Sequence, residues 1–162
     1  MLVIKPTVQL SAVFSCDFKI EKNAKVWLDF REQENRREFP VGPSLTFDAK
    51  TGKIMAGRKQ IGESPVGAWF PVEIKFPVNG GPVYSLRVGK EKTYEKLPFD
   101  NPEYAKCGWI GMIGTGNEAA RFYIDNLKLC PAENKSTANF GKSRRLVSRR
   151  FVPKEKIGLE QL

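Results

Sequence analysis

Six consecutive residues, Val26, Trp27, Leu28, Asp29, Phe30 and Arg31, alternate without a break between an apolar parity and a mixed one. Side chains of a β-strand project to opposite faces with a period of two, whereas a helical period of 3.6 would scatter these six around an axis. The stretch therefore reads as a strand with two unlike faces. Val26, Leu28 and Phe30 form a core face; Trp27, Asp29 and Arg31 form the other. An indole beside a carboxylate and a guanidinium offers a flat apolar platform for a sugar ring and fixed partners for its hydroxyls. A purely structural role fits the same three residues, because Arg over Trp is a common surface cation-π pair and Asp beside Arg a common ion pair.

The same period recurs along the chain. Val8, Leu10, Ala12, Phe14, Cys16, Phe18 and Ile20 alternate with mostly polar neighbours and predict a long first strand, with the Trp27 strand returning beside it as a hairpin after a polar turn at residues 21–24. Charge-rich residues 32–38 read as a solvated loop. Residues 43–48 and 53–56 form a hairpin marked by Asp48 and Gly52. Phe70, Val72, Ile74 and Phe76 share one parity of the next strand, where Pro71 points to a place near a sheet edge. Asn79, Gly80, Gly81 and Pro82 turn the chain into residues 84–88, and a short strand follows at residues 93–95.

Residues 100–106 read as one helical turn near Pro102, capped by Asp100 or Asn101. The nearly continuous apolar run of residues 107–114 predicts a strand covered on both faces in the middle of a sheet. Residues 121–129 are the last long strand. Gly and Pro, 14 and 11 in number, punctuate these short runs. The chain is thus expected to be all-β, one domain over residues 1–130, followed by an irregular basic tail at residues 131–162.

Composition removes several chemistries. Among the 162 residues there is no histidine, which excludes Ser-His-Asp and Cys-His catalysis, His-ligated zinc and imidazole acid-base work. Cys16, Cys107 and Cys130 are too scattered for a metal knuckle and odd in number for a closed disulfide framework, so they read as buried free thiols. No cofactor and no metal ligand set is indicated. The alternation at residues 8–20 argues against a secretory leader, and no run approaches the length of a membrane span.

The net charge of +9 is uneven, since residues 131–162 carry eight basic and three acidic side chains. Arg144, Arg145, Arg149 and Arg150 are the candidates for a polyanion-binding segment, with solvated chain as the structural alternative and nucleic acid not the favoured partner.

Four stretches carry a family likeness: residues 14–18 (FSCDF), residues 26–31 (VWLDFR), residues 67–74 (GAWFPVEI) and residues 122–127 (FYIDNL). Their order and spacing over residues 7–129 resemble the concanavalin A-like lectin/glucanase jelly rolls, in particular the LamG-like domains of secreted bacterial carbohydrate-active and surface proteins. The resemblance implies an antiparallel two-sheet jelly-roll sandwich, N-terminally short for the family. It leaves a sheet edge open for a second copy or a host protein, and an extracellular or cell-surface address. The function implied is a non-catalytic carbohydrate-binding or interaction module accessory to a larger protein, with Trp27, Asp29, Arg31, Trp69, Trp109 and Tyr123, and also Tyr84, as candidates to line a concave face.

The alternative is a glycoside hydrolase, which needs two carboxylates facing each other across the scissile bond. Glucanases of this fold carry Glu-x-Asp-x-x-Glu on one strand; no such motif occurs, and Asp29, Glu32 and Glu34 are the nearest cluster.

Overall fold

The structure, a computed structural model, describes residues 1–6, 11–32, 39–77, 81–90, 92–115 and 120–132. Eleven strands are described: β1 (Leu2–Ile4), β2 (Ala12–Ile20), β3 (Lys25–Arg31), β4 (Val41–Asp48), β5 (Lys53–Ala56), β6 (Lys59–Glu63), β7 (Trp69–Phe76), β8 (Val83–Val88), β9 (Lys92–Pro98), β10 (Trp109–Thr115) and β11 (Phe122–Pro131). They form two antiparallel sheets, one of six strands in the order β1-β10-β3-β4-β5-β6 and one of five in the order β11-β2-β7-β8-β9. Among the described residues there is no α-helix.

The inward parity of each strand builds the core. Phe14 of β2 meets the edge of Phe30 of β3 with ring centroids 5.3 Å apart, and Phe30 in turn meets Phe76 of β7 at 4.9 Å. A second group joins Phe18, Phe47 and Phe70 at 5.6 to 6.2 Å, with Phe122 stacked on Phe18. Each group takes rings from both sheets, so the sheets are joined by aromatic contacts at two places. Burying such a ring is worth about 1.5–3 kcal/mol, and a well-placed ring pair adds about 0.5–1.5 kcal/mol.

Three expectations change. β2 and β3 are consecutive but lie in different sheets. The turn between them, closed by Ala24 N–H to the Glu21 carbonyl and with Asn23 at φ 70°, carries the chain across the sandwich, so that the phenylalanines of the two strands face each other and do not lie side by side. β7 is an inner strand flanked by β2 and β8 despite Pro71. A strand residue points its N–H and C=O to the same side; the Pro71 carbonyl accepts from Gly89 N–H at 2.8 Å, so the missing donor falls just past the last β7–β8 pair, Val72 with Val88, and the β2 ladder does not need it. The helical turn expected near Pro102 is a hydrogen-bonded turn without helix, in which Asn101 Oδ1 accepts from Glu103 N–H and the Asn101 carbonyl from Tyr104 N–H.

Other readings match the described strands. β10 lies between β1 and β3 with Trp109, Ile110, Gly111 and Met112 all buried. β2 alternates buried and half-buried residues throughout, as its sequence period requires. β1, ahead of it, pairs with β10. No helix of the described residues is long and apolar enough to cross a membrane.

Replacing Phe30 with Ala removes a ring from one of the two inter-sheet groups and is expected to lower the unfolding free energy in urea by about 3–5 kcal/mol. Trp27→Ala, on the opposite parity of the same strand, is expected to change it by less than about 1 kcal/mol.

Candidate functional site

Because Val26, Leu28 and Phe30 are locked inward, Trp27, Asp29 and Arg31 stand on the outer face of the six-stranded sheet. Register sets their neighbours: Trp27 lies opposite Thr46 and Ile113, Asp29 opposite Ser44 and Gly111, and Arg31 opposite Trp109. Arg31 donates to Asp29 Oδ2 at 2.8 Å and the Ser44 hydroxyl donates to Asp29 Oδ1 at 2.9 Å, so both oxygens of this carboxylate are held. The guanidinium is itself clamped between two rings, its centre 4.3 Å from the Trp109 centroid and 4.5 Å from that of Phe39. Two such ring contacts restrict the guanidinium and hence the carboxylate it holds.

Trp109, expected on the binding face, is only 4% exposed. Its indole lies over Gly111 of the same strand, where a Cβ would collide with the ring, and under Arg31. It therefore backs the guanidinium and offers no free face. Trp27 is 41% exposed, with Lys25 Nζ 5.9 Å from its ring centroid and, at 3.9 Å, near Asp48. The face thus joins a half-exposed indole, a carboxylate fixed on both oxygens and the hydroxyl-bearing residues Ser44 and Thr46. Phe39, Ser44 and Thr46 were missed in the sequence, because their place beside β3 depends on register across β4 and on the chain before it.

The remaining candidates go elsewhere. Tyr84 is fully buried and stacks on Phe99, since it shares the inward parity of Leu86 and Val88. Trp69, 51% exposed, and Tyr123, 38% exposed, lie on the outer face of the five-stranded sheet, the opposite side of the sandwich. Glu32 accepts from Ala105 N–H and so anchors the segment before β10. Glu34, Arg144, Arg145, Arg149 and Arg150 lie outside the described residues. Among the described residues no group of three or more Cys, Asp and Glu is placed to hold a metal ion.

The three thiols are free. Burial, with the Asp17 carboxylate adding to it, pushes the Cys16 thiol far above its ordinary range, and burial also raises that of Cys107, so neither forms a thiolate nucleophile near neutral pH. Cys130 is exposed.

No family model matches the chain, and no curated protein sequence does. Solved structures do. Sheep galectin-11, in a complex with glycerol, superposes with a TM-score of 0.57 at 9% identity, covering 80% of this chain and 96% of its own. CG-16, a homodimeric agglutinin from chicken liver, gives 0.55 at 11% over 80% and 98%. Congerin II liganded by lactose and MES gives 0.53 at 11% over 79% and 98%. At these identities the likeness establishes the fold, a concanavalin A-like jelly roll of two antiparallel sheets.

Two outcomes are expected from this geometry. Gly111→Ala should displace the Trp109 ring and the guanidinium above it, lowering stability in urea by about 1–3 kcal/mol and altering the near-UV tryptophan signal. Iodoacetamide should label Cys130 alone in the native chain, and all three cysteines after denaturation, as read by intact mass.

Proposed function

We propose that this chain is a non-catalytic carbohydrate-binding module whose ligand lies on the outer face of the six-stranded sheet. The observation that carries the reading is the Asp29 carboxylate, held on both oxygens two residues from the half-exposed Trp27. A pyranose stacked on that indole places its hydroxyls toward a fixed acceptor and toward the hydroxyls of Ser44 and Thr46, all on strands whose backbones are paired on both sides. The ring-held Arg31, hydrogen-bonded to Asp29, orients the acceptor before a ligand arrives, so little conformational freedom remains to be lost on binding. The fold is one on which a lactose-liganded protein, congerin II, is also built.

The LamG-like resemblance supports the finer reading of an accessory module in a larger extracellular protein. Association with a second copy or a host protein through a sheet edge belongs to the same proposal: β1 and β6 end one sheet, β11 and β9 the other.

A glycan array probed with wild type, Trp27→Ala and Arg31→Ala tests the site. At least one glycan class is expected to bind wild type and to lose about tenfold or more in affinity with either substitution, equivalent to about 1.4 kcal/mol. An array without signal, or a signal indifferent to both changes, would sink the reading. Hydrolysis of a β-glucan, lost in Asp29→Asn, would replace it with the enzyme alternative.

A further inference from the structure

The opposite face of the sandwich carries its own aromatic row. β11, β2 and β7 are adjacent, and their register sets Tyr123, Lys19 and Trp69 side by side across the three strands. All three point outward, since Phe122, Ile20 and Phe70 on the other parity pack toward the core. The Trp69 and Tyr123 rings are 6.5 Å apart at 55° to each other, and Lys19 Nζ lies 5.6 Å from the tyrosine centroid. Among the described residues no carboxylate is within ion-pair distance of Lys19.

The next row holds Asp125 and Asp17, directly opposite one another. Like charges so placed are destabilising. Asn126, at φ 52° in the strand irregularity, relieves part of this: its side-chain amide donates to Asp17 Oδ2, and its backbone N–H to Asp125 Oδ1. The second oxygen of each carboxylate has no hydrogen-bond partner among the described residues. Two tilted half-exposed rings, one ammonium donor and two carboxylate acceptors therefore converge at one end of this sheet.

We infer that this cluster is a second carbohydrate site, for a neutral pyranose, separate from the Trp27 face. The charges select the ligand class. An anion would meet Asp17 and Asp125, and a cation would compete with Lys19 for the tyrosine face. A neutral polyol uses the ammonium as donor and the free carboxylate oxygens as acceptors, with its ring on the indole or the phenol. Size selects it as well. Trp69 and Tyr123 are the exposed large apolar residues of these three strands, and farther along the face runs the ion-paired set Lys75, Glu73 and Arg87. A stable protein partner covers roughly 800 Å² per side and favours an apolar centre, whereas this platform matches one or two sugar rings. With a site on each face, a single chain holds two glycans without dimerising.

Saturation-transfer NMR on the full chain, with a panel of methyl glycosides of glucose, galactose, mannose and N-acetylglucosamine, tests the second site in the Trp27→Ala/Arg31→Ala background. At least one pyranoside is expected to receive saturation there and to bind tenfold or more weakly once Trp69→Ala or Tyr123→Ala is added, with an unchanged urea midpoint. The inference is overturned if that background binds no pyranoside, or if its binding ignores both added substitutions. Binding that survives Trp69→Ala and Tyr123→Ala together but vanishes in Trp27→Ala would leave the first face standing and remove the second.

Discussion

Two groups of phenylalanine rings hold this sandwich together, and nearly every other feature follows from them. Phe14, Phe30 and Phe76 make one group, Phe18, Phe47, Phe70 and Phe122 the other, and each spans both sheets. A strand has no freedom to present a phenylalanine inward and its immediate neighbour inward as well. Fixing Phe30 therefore fixes Asp29 and Arg31 outward, and fixing Phe18 and Phe70 does the same for Lys19 and Trp69. A slip of one residue in either strand would bury a charge and expose a ring, so the register is enforced by the core.

Over this scaffold, the six-stranded face is organised by an arginine held in an aromatic clamp. Trp109 reaches that role only because Gly111, two residues along, has no side chain, and the indole lies down over the space. Phe39 closes the other side. A guanidinium held over two rings keeps donors at its edge for directional hydrogen bonds, one of which meets Asp29. A lysine at the same place would supply the charge without the plane. The buried tryptophan thus helps hold, through Arg31, a carboxylate one strand away, and its burial is the condition for that contact.

The inward half of the fold was legible in the sequence because burial leaves a period. Val26, Leu28, Phe30, Phe70, Val72, Ile74 and Phe76 are all buried as their alternation requires. What alternation does not encode is the partner of each strand. The turn at residues 21–24 is as compatible with a hairpin as with a crossing between sheets, and the difference lies in rings that meet tens of residues apart. The burial of Tyr84 could be read from its parity with Leu86 and Val88, which outweighs its phenol. That of Trp109 could not, because a run apolar at almost every position carries no parity. Thr46 and Lys19 stand opposite tryptophans, and Ser44 opposite Asp29, through register alone.

This division bears on what the likeness to the galectins means. Identity of 9–11% across most of two chains is compatible with one fold because the fold is specified by alternate residues, those facing inward, and by their size and apolarity more than by their identity. Binding is specified by the other half of each strand, which the core leaves free to change. The outward residues of β3, β4 and β10 on one face, and of β2, β7 and β11 on the other, are therefore independent of the shared architecture and of each other. A jelly roll can keep its core and carry a site on one face, on both or on neither. The chemistry of Trp27 with Asp29, and of Trp69 with Tyr123, belongs to those side chains and not to the shared fold, and each face of this chain carries its own set.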